Sequence, residues 1–478
     1  MGWLGKVTLA LVLLALMPAP RATAQTLADT LVAAYRNSDL LEQNRALLRA
    51  ADEDLFQAQS RLLPIVNFIS RASASEQRIE TPGLPTVTNS SARLNFSLAA
   101  EITLVDFGRG RLAIDFAREQ VFSARAGLIV IEQRVLLQAV QAYLNVISER
   151  DTVALRRANM ALIQQELDAA RQRFELGDST RTDVAIAEAR LAAAQSALAA
   201  AEGDLAVARE DFRLAVGIYP ENLRQPPRLP RLPASLSAAQ AQARRQHPAI
   251  LQAQHQVTAA DLMVESARAG RLGSVTGEVS AGMVGERGRT VRDVSGSITW
   301  AVPLYDGGRL NSSERQAVAR REAERASLNQ QVASVLQAVG TNWAQLEVAR
   351  ARLAASALQI EAAQTAYDAV RAEAELGART TLDVLNAEQE LLDARSARIA
   401  ASAGVQLAAY ALLQATGQMT VEALNLGIPT YDVEAYAAGF RRPQASRGRS
   451  EQGDRLDRIM GRHGSGAALE SGGLNQGP

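Results

Sequence analysis

Cysteine is absent from the 478 residues, and lysine occurs once, at Lys6. The first absence excludes disulfides, thiolate chemistry, cysteine-ligated metals and an acylated N-terminal cysteine. The second leaves arginine with nearly all the positive charge, and 51 basic residues balance 51 acidic ones. With no net field, nothing recruits nucleic acid. Histidine is confined to His247, His255 and His463, which have no metal-ligand spacing. No phosphate-cradling glycine loop, nucleophile elbow or paired-carboxylate pattern stands out, so the expectation is no enzyme, no cofactor and no metal. Aromatic residues make up only 4%. Long apolar runs are missing too, except Val7 to Met17, which follows Lys6 and precedes Ala22-Thr23-Ala24. That is a secretory signal peptide over 1–24, with Gln25 as the expected first mature residue. No later stretch approaches the roughly 20 apolar residues of a membrane helix. Only a β-barrel could then hold the exported chain in a bilayer.

The chain contains a repeat. Thr103 to Leu112 reads TLVDFGRGRL and Thr299 to Leu310 reads TWAVPLYDGGRL, aligning Leu104 with Leu304, Asp106 with Asp306, Gly108 with Gly308 and Arg109 with Arg309. Before each junction apolar residues alternate: Leu94, Phe96, Leu98, Ile102 and Leu104, then Val294, Ile298, Trp300, Val302 and Leu304. Period two marks a strand with two unlike faces. After each junction come about 65 residues without an interior proline, rich in Ala, Leu, Arg, Glu and Gln, which is helix. The plan is therefore one duplicated unit, 25–218 and 236–426, joined by a proline-rich linker at 219–235 and followed by a segment at 427–478.

In chain order, a helix is expected over 27–63, stopped by Pro64. Strands follow at 65–79 and 92–105, around a loop containing Pro82, Gly83 and Pro85. A first rod should run over 109–176, roughly 100 Å at 1.5 Å per residue. Gly177 breaks it, and Thr180-Arg181-Thr182-Asp183 matches a capping box that starts a second helix. In that helix Val184, Leu191, Leu198, Leu205 and Phe212 hold a strict heptad, a coiled-coil seam. The second half repeats this with a helix over 236–271, strands at 273–283 and 291–302, and a rod seamed by Val332, Val339, Leu346, Leu353, Ile360 and Tyr367. Gly377 ends the rod, Thr380 to Asp383 repeats the box, and Val384, Leu391, Val405 and Leu412 repeat the seam with Arg398 as its exception. Beyond Arg441 the Gly, Ser, Arg and Gln content points to disorder.

Four strands cannot close a barrel, since the smallest membrane barrels have about eight. Their edges cannot stay open in lipid, so several protomers must share one barrel. The long helices would then ring the same axis, and barrel joined to ring describes a tunnel. A competing reading is a secreted periplasmic coiled-coil scaffold whose strands form a small soluble sheet, for which the low aromatic content counts.

On Leu62-Leu63-Pro64, Val302-Pro303-Leu304-Tyr305-Asp306-Gly307-Gly308, and Glu375-Leu376-Gly377 followed by Thr381-Leu382-Asp383-Val384-Leu385, the chain resembles the TolC-like outer-membrane efflux proteins from about residue 27 to 426. The resemblance implies a mainly α fold with a membrane β portion. Its homotrimer would have a twelve-stranded barrel in outer-membrane lipid, a twelve-helix periplasmic tunnel and an equatorial belt. It further implies an exit duct of a Gram-negative tripartite system, for type I protein secretion or small-molecule efflux. The partners would be a periplasmic adaptor and an inner-membrane ABC, RND or MFS transporter. The missing lipid-bearing cysteine leans toward TolC and secretion-type ducts.

By the same resemblance, Asp383 matches the main acidic position of a pore constriction, while its second position holds Asn386. Arg379 and Thr182 match one closing link and Asp183 half of another, whose tyrosine is replaced by Ala374. Gly273 stands where a proline is expected. For Asp183 and Asp383 a helix-capping role is equally open. Arg379 also suits a solvated tip charge. The turns at Gly177 and Gly377 should be the periplasmic tips, where an adaptor docks.

Overall fold

A computed structural model of the protein describes residues 25–177, 180–226, 229–286 and 289–431. Among these run eight α-helices and four strands in two matching series. The first is α1 (Leu27–Asn37), α2 (Asp39–Ser60), β1 (Ile65–Ile79), β2 (Val87–Val105), α3 (Arg109–Glu175) and α4 (Arg181–Val216). The second is α5 (Leu236–Gln246), α6 (Pro248–Ala269), β3 (Ser274–Glu286), β4 (Arg289–Ala301), α7 (Arg309–Glu375) and α8 (Thr381–Ala415). The expected signal peptide and the segment beyond residue 431 lie outside the described residues.

Both short helices expected as single elements are divided. Ser38 is extended, ends α1, and caps α2 by accepting the Leu41 amide. In the second repeat Pro248 forces the residue before it out of helical geometry, so His247 is extended (φ −68°, ψ 125°). His247 Nδ1 then caps α6 by accepting from Ala249 N at 3.2 Å. The strands are longer than expected. β2 starts at Val87 because β1 pairs with it without a break from Ile65↔Glu101 to Ile79↔Val87. β3 likewise runs to Glu286, opposite Arg289.

The long helices follow from the sequence closely. α3 and α7 are 67 residues each, and Gly177 (φ 85°) and Gly377 (φ 80°) take the left-handed conformation that ends a helix. α4 and α8 then pack back along them. Leu205 and Phe212 of the heptad are buried, and so is a second series at the same spacing, Ala187, Ala194, Ala201 and Ala208. These methyl-sized side chains bring the two backbones close. Arg398, the break in the α8 seam, is exposed. One expectation fails here: among the described residues α4 is long and apolar enough to cross a membrane by length and composition alone. Its apolarity is mostly alanine, which the seam uses.

The main core lies at mid-height of the rods. Leu136, Val140, Tyr143 and Ile147 of α3 meet Leu31 and Ala34 of α1, Phe212 and Val216 of α4, and Met419 and Val421 beyond α8. The second repeat builds an equivalent core from Ala239, Ala243 and Ile250 against Val339 and Leu346 of α7 and Val405, Ala409 and Leu412 of α8. The proline-rich segment is a strap rather than a free linker. Leu223 is buried and bridges to Gln25, while Tyr143 Oη donates to the Arg224 carbonyl at 2.6 Å and Arg150 to the Leu223 carbonyl at 2.8 Å.

Candidate functional site

The four strands form one antiparallel sheet in the order β1-β2-β3-β4, and its register sorts the side chains. One row across the sheet is Phe68, Leu98, Ala281 and Val294, and the next on that face is Val66, Ala100, Val279 and Gly296. Rows on the other face read Asn67, Ala99, Ser280, Ser295 and Ile65, Glu101, Glu278, Ser297. The Ser280 and Ser295 hydroxyls bond at 2.8 Å on that polar face, as do Ser75 and Ser91 at 2.9 Å. An apolar face backed by a polar one is the wall of a barrel between lipid and water. Trp300 lies on the apolar face, opposite Val275, at the helix end of the sheet, where an indole suits a membrane interface.

The wall passes into the rods through the repeated junction. Asp106 accepts the Gly108 amide at 3.0 Å and the Gly110 amide, and Asp306 accepts those of Gly308 and Leu310 at 3.0 and 2.6 Å. Each carboxylate therefore starts a rod by satisfying orphan donors at its positive end. At the second junction Gly273 has φ 75°, and a Cβ there would lie 2.0 Å from the Ala301 carbonyl oxygen. Proline is impossible at that φ, so the departure from the family pattern is a requirement of this turn.

Every level of the structure leaves two open sides. β1 and β4 each pair along one edge only. Below the sheet the helices run α2, α3, α6, α7, and further down α4, α3, α8, α7, each packed on its neighbours. The outermost rod is the least covered: five of its 67 residues are buried, against 19 of the 67 in α3. Apolar side chains stand out on the same outer helices, with Val207 62% and Leu214 82% exposed on α4 and Leu358 68% exposed on α7.

At the turns both capping boxes form as expected. Asp183 and Asp383 each accept from the backbone N–H and hydroxyl of Thr180 and Thr380, and Thr380's bonds, the backbone one foremost, hold Asp383 below the usual carboxylate range. The turns end in bare leucines, Leu176 (78% exposed) and Leu376 (87%). Arg379 Nε donates to Glu373 Oε2 at 2.8 Å inside its own turn, so its guanidinium is engaged there and not with Thr182 in this chain. Asn386 Oδ1 accepts from Arg190 Nη2 at 3.0 Å, which brings α4 against α8.

Three residues near the turns escaped the sequence reading: Asn159, Arg190 and Glu388. Asn159 Nδ2 donates to Glu388 Oε1 at 2.6 Å across α3 and α8. The signal was available. Thr381, Leu385, Glu388 and Leu392 recur at alternating four- and three-residue steps and are all buried. A glutamate at a core position of a coiled coil needs a reason.

An amphipathic sheet with open edges, continuous with rods that end in paired turns, defines an outer-membrane channel protein with a periplasmic extension. The chain belongs to the outer membrane efflux protein family, whose profile matches residues 30–218 and 239–418. It is 35% identical over 419 residues to the outer membrane efflux protein BepC of Brucella suis biovar 1, covering 87% of this chain and 90% of that one. It is also 28% identical over 274 residues to the alkaline protease secretion protein AprF of Pseudomonas aeruginosa, covering 55% and 57%. The fold matches the crystal structure of the outer membrane protein VceC from Vibrio cholerae with a TM-score of 0.69 at 19% identity, covering 82% and 96%. The soluble-scaffold reading falls with this, because the family is one of outer-membrane proteins.

Proposed function

We propose that three copies of this chain close into a twelve-stranded barrel on a twelve-helix tunnel that serves as the passive exit duct of a tripartite export system. The observation that carries closure with further copies is the matched pair of open edges at every level, four strands above and four helices below per chain, and the number three is what the family resemblance implies. Three copies give twelve strands, above the minimum of about eight. The turns at Gly177 and Gly377, with Leu176 and Leu376 bare beside them, are where the helices of a periplasmic adaptor dock. The adaptor links the duct to an inner-membrane ABC, RND or MFS transporter, which selects the cargo. Similarity to a protease secretion protein and the absence of a lipid-bearing cysteine favour protein secretion, with small-molecule efflux served by the same passage.

Three copies of Asp383 around the narrowed end would form a cation-preferring ring, with Asn386 as an uncharged second position. Arg379 with Thr182 and Asp183 would close the assembled tip, exchanging the Glu373 contact for a neighbouring helix. Native mass spectrometry of detergent-extracted protein tests the assembly. A trimer is expected, and mainly single chains would contradict it.

A further inference from the structure

The rods open only if the α3–α4 hairpin moves against the α7–α8 hairpin, so bonds that cross between them decide how firmly the tunnel is shut. Arg157–Glu202 and Arg171–Glu188 fasten α3 to α4 within one hairpin, at 2.6 and 2.7 Å. Asn159–Glu388 and Arg190–Asn386 cross from one hairpin to the other, at 2.6 and 3.0 Å. They bracket a small apolar contact of Ile163 on α3, Ala194 on α4 and Leu385 on α8. Glu388 is buried there, and its Oε2 has no hydrogen-bond partner among the described residues. A buried carboxylate oxygen left unpaired is costly when charged. The groups that face it are Glu166 from α3, Arg190 from α4 and Tyr367 from α7, with Arg371 beside the tyrosine.

We propose that Asn159, Arg190, Asn386 and Glu388 form the latch between the two hairpins, and that a proton on Glu388 tightens it. The proposal rests on the reading of the chain as a gated tunnel. Burial above all raises the Glu388 carboxyl to about 7, with the Glu166 charge adding to it and the Asn159 bond and Arg190 opposing. Once the hairpins part, water reaches the carboxyl and its affinity for a proton returns toward the ordinary value of 4.5. The latched state therefore binds the proton more tightly. It is fully favoured below the ordinary value and loses ground as pH rises toward about 7, by at most roughly tenfold per pH unit.

Single-channel recording in planar bilayers, between about pH 5 and about pH 8, tests this directly. The wild-type conducting fraction is expected to rise with pH and level off above about 7. Glu388→Gln keeps an acceptor for Asn159 and carries no charge, so its conducting fraction should be low and flat. Asn159→Ala and Arg190→Ala should conduct more than wild type across the range. His255, paired with Glu119 at 2.7 Å and away from the latch, serves as a control, and His255→Gln should leave the slope intact. A Glu388→Gln channel that keeps the wild-type slope, or a wild-type slope of opposite sign, overturns the latch. The chain's lack of cysteine allows a second measurement: Asn159→Cys with Glu388→Cys, bridged by a short bifunctional maleimide, should stop conducting. Bridged channels that conduct like unbridged ones also overturn it, whereas wild-type trimers that form no channels at all defeat the tunnel reading instead.

Discussion

Asp106 and Asp306 stand 200 residues apart and make the same pair of bonds, each to the amide two residues on at 3.0 Å and each to the amide four residues on. Both act on the first turn of a 67-residue helix. Replacing either by alanine is expected to cost about 1 kcal/mol, the usual loss for a helix-start carboxylate. The two costs should add, since the sites share no partner. Thermal unfolding of the two single variants and the double variant measures both values, and a double variant no worse than a single one rejects the independence.

Those aspartates also show why the plan was legible. The repeat, the alternation before it and the heptads after it are local patterns, and local patterns fixed both rods to within a residue of their ends. The strand faces followed as well, since alternation marked Leu98 and Val294 as apolar, but the register that brings them into one row was not legible. Part of what stayed hidden is local, and part depends on residues far apart in the chain. Ser38 and His247 divide short helices because each caps the next one, and the strap at Leu223 exists only because Gln25 and Tyr143 meet it. At the tips, Asp183 and Asp383 read as caps from four consecutive residues. The core position of Glu388 showed in its local spacing, but its partner Asn159 lies 229 positions away.

Tyr143→Phe should loosen that strap. The hydroxyl is the donor to the Arg224 carbonyl, and burial pushes its pKa up to about 12, so it stays protonated at any working pH. Removing it leaves a carbonyl short of a partner, at about 1 to 1.5 kcal/mol. Urea unfolding at neutral pH should show this loss with an unchanged slope. A Tyr143→Phe protein as stable as wild type means that water has taken over the bond.

Asp383→Ala should reduce the cation preference of the channel and any block by divalent cations. In the proposed trimer three carboxylates around a narrow axis would concentrate negative charge, and Thr380 keeps Asp383 ionised well below neutrality. The effect should therefore be constant over the pH range in which Glu388 changes its charge. Reversal potentials under a salt gradient measure it, and unchanged selectivity leaves Asp383 as a helix cap alone. Arg379→Ala with Asp183→Ala should raise single-channel conductance. Conductance equal to wild type removes both from the gate.

The bare apolar residues of α4 and α7 bear on assembly. Val207 and Leu214 are seven apart, so they lie on one stripe of α4, and they sit on the side away from the buried Ala201, Ala208 and Phe212 seam. A second stripe on a helix already packed along its first needs a second partner. Leu358 gives α7, the rod at the opposite side of the chain, apolar surface to match. In the proposed ring α4 of one copy would meet α7 of the next, so both stripes would leave water together. Burying a leucine-sized side chain stabilises by roughly 1.5 to 3 kcal/mol, and each such contact recurs around the ring. Leu214→Glu should place a charge in that seam without touching the core of its own chain. The expected result is single chains in native mass spectrometry, with circular dichroism showing the wild-type helix content. Trimers of wild-type stability would show that α4 does not face a neighbouring copy.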